Sequence, residues 1–184
     1  MSKIYIQGTF GAYSHLAALE IDPNAEVIPC KTFDECFLKT SAENNSRMVI
    51  PESNRITGNI GIEYLIFKYR LNIYAEHFQK IEHNLLGQPS ASLNDIKDVF
   101  SHTQGLSQCS NFIKKNNFVE HVRADTAGSA EAISKNKIKS EAAIASSLSA
   151  KIYKLKVLAQ NIENEKGNAT RFLIMGKEVY QPNF

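Results

Sequence analysis

Short apolar runs alternate with polar, glycine-containing loops along the whole chain. In the first third, runs at residues 4–7, 26–29 and 47–50 are each followed by a loop and then by apolar residues at helical spacing. The pattern predicts strand, loop and helix three times over. This order is typical of an α/β sheet with parallel strands, in which ligands bind in the loops at the carboxyl ends of the strands.

The second half of the chain predicts a second unit of the same kind. Residues 71–86 alternate apolar and polar positions, which predicts an extended crossing segment rather than one helix. Further strands are predicted at residues 98–100, 118–122, 141–145 and 156–159.

An apolar run at residues 170–175 predicts a last strand, which needs a sheet to pair with. We expect it to return to the first unit. Lobe 1 then comprises about residues 1–73 and 160–184, and lobe 2 about residues 74–159. A cleft between two such lobes is a common place for small-molecule sites.

Two local signals refine the first unit. Thr32, followed three residues later by Glu35, forms a capping box and predicts the start of a helix. Pro51 predicts the end of the third strand, a polar loop at residues 52–58 and a helix over residues 59–70.

Bulk composition excludes several functional classes. The chain has 184 residues, a formal charge of +2 and 43% hydrophobic residues, as in soluble globular proteins. Basic and acidic residues are interspersed, so nothing indicates binding to nucleic acid or to a membrane surface. No apolar run approaches the ~20 residues of a membrane span, and residues 1–8 predict a strand rather than a signal peptide. We therefore expect a cytoplasmic protein.

Cysteines and histidines give no metal signal. The three cysteines are an odd number without metal-like spacing, and the five histidines form no ligand pattern. We expect neither a metal nor another cofactor.

Two stretches carry candidate chemistry. Residues 168–172 place an amide, a hydroxyl and a guanidinium where a loop enters an apolar strand. The alternative is that Thr170 only favours a strand and Arg171 is a solvated charge. The loop from Gly8 to Gly11 brings free backbone amides to a helix start, which indicates either an anion site or an ordinary turn.

Five short motifs occur in a fixed order along the chain. They are Gln7-Gly8-x-x-Gly11-Ala12-Tyr13-Ser14; Ser101-His102-Thr103-Gln104-Gly105-Leu106-Ser107-Gln108-Cys109; Asp125-Thr126-Ala127-Gly128-Ser129-Ala130; residues 142–146 with Tyr153 and Leu155; and Asn168-Ala169-Thr170-Arg171-Phe172. Together they resemble the prephenate dehydratase family, collinearly over essentially the whole chain.

The resemblance departs from the family pattern in two places. After the third strand the family has P-x-E-N-S-x-x-G, whereas this chain has Ser53 at the glutamate position and Arg55 at the serine position. Glu52 is an alternative source of the missing carboxylate. Many relatives also continue into a phenylalanine-binding ACT domain, for which the chain stops too soon at Phe184.

The resemblance implies a two-lobed fold of the type II periplasmic-binding-protein kind with the active site in the interlobe cleft. It implies decarboxylating dehydration of prephenate to phenylpyruvate in L-phenylalanine biosynthesis, by a cytoplasmic carbon–oxygen lyase without a cofactor. A homodimer or homotetramer is expected. Arogenate dehydratase, or a non-catalytic module that binds small anions, stays open as an alternative.

The resemblance also suggests roles for the last motif. Thr170 is the candidate that donates to the leaving hydroxyl, and its high pKa means that it needs a relay partner or water. Arg171 is expected to pair with a substrate carboxylate, with a structural salt bridge as the alternative. Phe172 is expected to be cleft wall or core.

The remaining candidates are predicted to bind substrate. Asn54 and Gln104 are neutral donors suited to its oxygens. Ser101 and Thr126 begin helices and are expected to present hydroxyls and amides to a carboxylate, with helix capping alone as the alternative. His102 is expected to start a helix rather than to act as a base.

Overall fold

A computed structural model describes residues 2–178. Within them lie the strands β1 (Lys3–Gln7), β2 (Glu26–Cys30), β3 (Ser46–Asn54), β4 (Gly58–Asn59), β5 (Asn72–Lys80), β6 (Asn84–Gly87), β7 (Asp98–Ser101), β8 (Val119–Val122), β9 (Glu141–Ala145), β10 (Lys156–Ala159) and β11 (Ala169–Gly176). The helices are α1 (Tyr13–Ile21), α2 (Phe33–Ala42), α3 (Glu63–Tyr69), α4 (Thr103–Gln108), α5 (Ser110–Lys115), α6 (Thr126–Asn136) and α7 (Ser147–Tyr153), with a short 3-10 turn at Leu93–Asp95.

The described chain divides into two compact α/β units, as the sequence predicts. Unit 1 contains residues 2–9, 13–80 and 168–178, and unit 2 contains residues 10–12 and 81–167. None of the helices in the described part has the length and apolar character needed to cross a membrane.

Unit 1 is built on a sheet with strand order β2-β1-β3-β11-β5, and β4 pairs with the end of β3. The pairs β1–β2 and β1–β3 are parallel, while β11 runs antiparallel to both β3 and β5. One sheet face packs Ile4, Ile6 and Phe172 against Ala17 of α1. The other face packs its apolar residues against α2 and α3.

Unit 2 has the strand order β10-β6-β9-β7-β8. Strand β7 is parallel to β8 and β9, whereas β6 is antiparallel to β9 and β10. Parallel pairing brings the carboxyl ends of β7 and β9 to one edge of the sheet, where the helices that follow them begin.

Helix starts follow the local signals. Thr32 caps α2 through its Oγ1, which accepts from the backbone N–H of Glu35 at 3.1 Å. The Glu35 carboxylate accepts in turn from the backbone N–H of Lys31 at 2.7 Å, one residue before the position expected for a capping box. Asp125 caps α6 in the same way, accepting from Gly128 N–H at 2.5 Å.

The polar loop after the third strand differs from its prediction. Strand β3 does not end at Pro51 but continues to Asn54, because its last residues pair with β11. The pairing passes from Arg171↔Ser53 to Phe172↔Pro51, so Glu52 is the extra residue of a bulge. A bulge accommodates Pro51, which has no N–H to give to the ladder.

The helix predicted over residues 59–70 is shorter than expected. Gly58 and Asn59 form β4 against β3, and Gly61 follows with a φ of +82°. Helix α3 therefore begins only at Glu63. The helical segment that follows β7 is divided at Cys109 into α4 and α5.

The boundaries predicted at residues 73 and 159 also move. The chain leaves unit 1 between Lys80 and Ile81 and returns between Gly167 and Asn168. The first shift arises because β5 pairs along its whole length with β11 and so belongs to the sheet of unit 1. Residues 1 and 179–184 of the predicted lobe 1 lie outside the described residues.

Candidate active site

Thr170 lies in the middle of a row of three side chains on neighbouring strands of unit 1. It pairs with Asn54 of β3 on one side and with Gln79 of β5 on the other. Directly opposed residues of a sheet project from the same face, with Cβ atoms ~4.5–5.5 Å apart. Thr170 is 8% exposed and Gln79 is 4% exposed, so both are shielded from bulk water, whereas Asn54 is half-buried.

The Asn54 amide fixes the Thr170 hydroxyl. Its Nδ2 lies 2.9 Å from Thr170 Oγ1, 2.9 Å from Asn168 Oδ1 and 3.2 Å from the Ala169 carbonyl oxygen. Because Oγ1 accepts from Asn54, the hydroxyl proton of Thr170 stays available to another acceptor. Within residues 2–178 no protein atom accepts it.

The Asn54 side-chain oxygen is bound as well. Asn54 Oδ1 accepts from the backbone N–H groups of Ile56 at 2.9 Å and Thr57 at 3.1 Å, which holds the turn after β3. Arg55 N–H extends the pairing by donating to the Ala169 carbonyl at 2.9 Å. The structure thus uses Asn54 to hold Thr170; its direct contact with a substrate stays a prediction.

Arg171 points away from Thr170. Successive residues of a strand face opposite sides of the sheet, and Thr170 shares its side with Phe172. Arg171 Nε donates to Glu76 Oε2 at 2.7 Å, and Nη1 lies 3.6 Å from Glu52 Oε2. The structure therefore favours the salt bridge that the sequence leaves as the alternative, and a substrate contact of Arg171 stays a prediction.

The loop after β3, which departs from the family pattern, makes defined contacts with Arg171. Glu52, the bulge residue, brings its carboxylate to Arg171, and Ser53 Oγ donates to Glu52 Oε2 at 2.6 Å. Glu52 therefore directs its carboxylate to Arg171, and its role as the source of the missing site carboxylate stays a prediction.

Phe172 is part of the core. Its side chain is 2% exposed and packs with Ile4, Ile6 and Val49. Of the two roles predicted for it, cleft wall or core, the structure gives it the second.

In unit 2, Gly105 brings two predicted site residues together. A Cβ at Gly105 would lie 2.7 Å from Ser101 Oγ and 3.5 Å from Thr126 Cγ2, so only glycine lets α4 approach both. Ser101 is fully buried, and its Oγ donates to the Ile144 carbonyl at 2.7 Å. The hydroxyl proton of Ser101 is therefore engaged with the sheet, and a contact of Ser101 with a substrate stays a prediction.

Thr126 and Gln104 remain available at helix starts. Asp125 caps α6, so the half-buried Thr126 is not needed for capping. Gln104 is exposed in the first turn of α4. Its backbone N–H donates to His102 Nδ1 at 3.3 Å, so His102 caps this helix as the sequence predicts.

The carbonyl groups of the glycine loop after β1 are bonded within unit 2, and an anion site at its backbone amides stays a prediction. The Gly11 carbonyl accepts from Ser146 Oγ at 2.6 Å and from Ser149 Oγ at 3.0 Å, and the Phe10 carbonyl accepts from Tyr153 OH at 2.7 Å. These bonds explain why residues 10–12 belong to unit 2, although β1 before them and α1 after them belong to unit 1.

The loop that leads into the Thr170 motif is anchored within unit 2. His83 N–H donates to Glu163 Oε2 at 3.0 Å, and the His83 carbonyl accepts from Ile162 N–H at 2.9 Å. His83 Nε2 lies 2.8 Å from Gln108 Oε1. Burial lowers the pKa of His83, which favours the neutral imidazole in this network.

Gln79 is the residue that the sequence gives no reason to single out. It lies in the predicted extended segment, and only its pairing with Thr170 reveals its position. In the part of the chain that the structure describes, no group of three or more His, Cys, Asp or Glu side chains is arranged to hold a metal ion.

Comparison with known proteins identifies the family. A family model described as Prephenate dehydratase matches residues 4–180. Arogenate dehydratase 2 of Petunia hybrida is 39% identical over 181 residues, which are 98% of this chain and 46% of that protein. The chain thus spans about half the length of the curated relatives that it matches.

Solved structures show the same fold. A structure described as GqqA, of a novel type of quorum quenching acylases, matches with a TM-score of 0.90 at 32% identity, over 97% of this chain and 65% of that one. Prephenate dehydratase of Arthrobacter aurescens in complex with L-Phe matches with a TM-score of 0.89 at 23% identity, over 99% and 62%. The second likeness bears on the fold alone.

Proposed function

Since the chain belongs to the prephenate dehydratase family, we propose that it converts prephenate to phenylpyruvate by decarboxylating dehydration, a step of L-phenylalanine biosynthesis. The observation that carries the proposal is the buried Thr170 hydroxyl. Asn54 holds its oxygen at 2.9 Å, while its proton is free to donate.

The reaction needs a hydrogen-bond donor at the leaving oxygen. The bond between the ring and its carboxylate breaks, and its electron pair enters the ring as CO2 departs. The ring becomes aromatic as the C–O bond breaks, and the leaving hydroxide takes up a proton to become water. Thr170 Oγ–H stabilises the charge that develops on that oxygen, and the Asn54 amide stabilises the charge passed to Oγ1. Preorganised donors of this kind each contribute ~10²–10³-fold in kcat.

The test is turnover by the purified chain and by two matched variants. Wild type is expected to form phenylpyruvate from prephenate, measured by product absorbance in alkali. Thr170→Ala should keep its fold and lose at least about 100-fold in kcat. Thr40→Ala is the control, because Thr40 is fully buried and its hydroxyl donates to the Cys36 carbonyl at 2.8 Å, within helix α2. Equal turnover by Thr170→Ala and Thr40→Ala would show that Thr170 has no part in the mechanism.

Arogenate is the second substrate to test, because a relative that is 39% identical is an arogenate dehydratase. Arogenate carries an amino group where prephenate carries a keto oxygen, and its product is phenylalanine. Comparing kcat/KM for the two substrates assigns the preference. Acylase activity is assayed in parallel, because of the likeness to GqqA. Saturable binding of prephenate without turnover would support the non-catalytic anion-binding module.

Finer properties are part of the same proposal. The enzyme would be a carbon–oxygen lyase of the hydro-lyase type, cytoplasmic, and active as a homodimer or homotetramer. Light scattering coupled to size exclusion measures the oligomeric state. Gln104 and Thr126 stay candidates for substrate binding, with Gln104 exposed and Thr126 half-buried.

A further inference from the structure

Gln79 has a buried oxygen that no protein donor reaches. The residue is 4% exposed, and among residues 2–178 its Oε1 has no hydrogen-bond partner. A buried acceptor left unpaired is costly, so such atoms are usually satisfied by an ordered water when no side chain serves.

The orientation of the Gln79 amide is fixed. Its Nε2 lies 3.4 Å from Glu20 Oε1 and 3.3 Å from the Lys80 carbonyl oxygen. Exchanging the amide oxygen and nitrogen would place an oxygen against two acceptors. Oε1 is therefore the atom without a partner, on the sheet face that Gln79 shares with Thr170.

Gln79 and Thr170 are neighbours on the sheet whose side chains do not bond to each other directly. The two residues are directly opposed, which sets their Cβ atoms ~4.5–5.5 Å apart. Thr170 Oγ1 already accepts from Asn54 Nδ2 at 2.9 Å and has a second lone pair to fill. A water between the two side chains can donate one hydrogen to Gln79 Oε1 and the other to Thr170 Oγ1.

We propose that Gln79 is a positioning residue for Thr170 and acts through one internal water. With both lone pairs of Oγ1 engaged, by Asn54 and by this water, the hydroxyl proton has a single direction left. It points to the leaving oxygen of the substrate. The inference rests on the proposed function, because it assigns Thr170 the role of donor.

The first test is a double-mutant cycle in turnover. Gln79→Met keeps the length of the side chain and removes the acceptor. It should lower kcat about tenfold, the size of one neutral hydrogen bond, with KM unchanged. In the Thr170→Ala background the same substitution should change nothing further, because Gln79 acts only through Thr170.

Gln88→Met is the matched control. Gln88 is also buried, at 9% exposure, and its Nε2 donates to the Ile133 carbonyl at 2.5 Å in unit 2. It should lose stability and keep kcat. Equal kcat losses in Gln79→Met and Gln88→Met would show that Gln79 has only a structural role. An unchanged kcat in Gln79→Met would overturn the proposal, and a higher kcat would overturn it by showing that Gln79 competes with the substrate for the Thr170 proton.

The second test does not depend on activity. A crystal structure of the wild type should show one water within 3.5 Å of both Gln79 Oε1 and Thr170 Oγ1, and Gln79→Met should lack it. Wild type that turns over neither prephenate nor arogenate would refute the proposed function, whether or not the water is present. An active wild type without this water would refute only the role of Gln79.

Discussion

Asn54→Asp reverses the direction of one hydrogen bond while changing one atom. Asp retains the oxygen that accepts from Ile56 at 2.9 Å and Thr57 at 3.1 Å, so the turn after β3 is kept. It replaces Nδ2, which lies 2.9 Å from Thr170 Oγ1, by a second oxygen. An ionised carboxylate only accepts, so Thr170 must now donate its proton to it.

The size of the effect follows from the bond that must break before catalysis. A hydrogen bond from a hydroxyl to a charged group contributes about 1.5–3 kcal/mol. Thr170 has to lose this bond to donate to the substrate, and each 1.36 kcal/mol is a factor of ten in rate. We therefore expect kcat/KM to fall by about 10- to 150-fold at pH 8.

Stability falls as well, because Asn168 Oδ1 loses the Asn54 donor at 2.9 Å and faces a carboxylate oxygen instead. Losing a hydrogen bond at a buried acceptor costs about 1–3 kcal/mol of unfolding free energy. Asn84→Asp is the control for this term, because Asn84 is 5% exposed and its Nδ2 donates to the Glu82 carbonyl at 3.4 Å, within unit 2.

The assay is kcat/KM as a function of pH, with stability followed by urea unfolding. The introduced carboxylate accepts hydrogen bonds from Ile56 and Thr57 N–H, which favour its ionised form, so its pKa lies at or below the usual value of about 4. Protonation restores an O–H donor, so the deficit relative to wild type should shrink as the pH falls. Asn54→Asp with wild-type kcat/KM at pH 8, or with a deficit equal to that of Asn84→Asp at every pH, would show that the proton of Thr170 is not needed.

Three further outcomes follow from the contacts. Arg171→Ala should leave KM within about twofold and lower stability by less than about 1 kcal/mol, because its half-exposed ion pairs contribute little; a tenfold rise in KM would establish a substrate contact. Gly11→Ala should lose about 1–3 kcal/mol in urea unfolding, because φ is +92° and the new Cβ would lie 2.6 Å from Ser149 Oγ. Gly61→Ala, strained at +82° but with nothing within 4 Å, should lose less. Burial lowers the pKa of His83, so its contribution to the unfolding free energy is present above about pH 6.5 and is lost below it, by at most about 1.4 kcal/mol per pH unit. His83→Gln should flatten this dependence of the unfolding free energy on pH. An equal slope in wild type and variant would contradict the assignment.

Local signals in the sequence carry most of the secondary structure. The caps at Thr32 and Asp125 depend on side chains and amides three residues apart, and both lie at the helix starts. The parallel order of β2, β1 and β3 follows from strands that alternate with helices. The loop at residues 52–58 is the exception, because Pro51 stops a strand in isolation but is tolerated at a bulge that a distant strand creates.

The sequence by itself determined the two-unit α/β fold, the family and the motif that contains Thr170, because element order and motif spacing are properties of the chain. Tertiary structure alone decided which side chains meet. The pairing of β11 with β3 and β5 sets Asn54 and Gln79 beside Thr170, and turns Arg171 to Glu76 on the opposite face. A shift of one residue in that pairing would exchange the two faces. Register therefore connects residues far apart in sequence, and no local pattern encodes it.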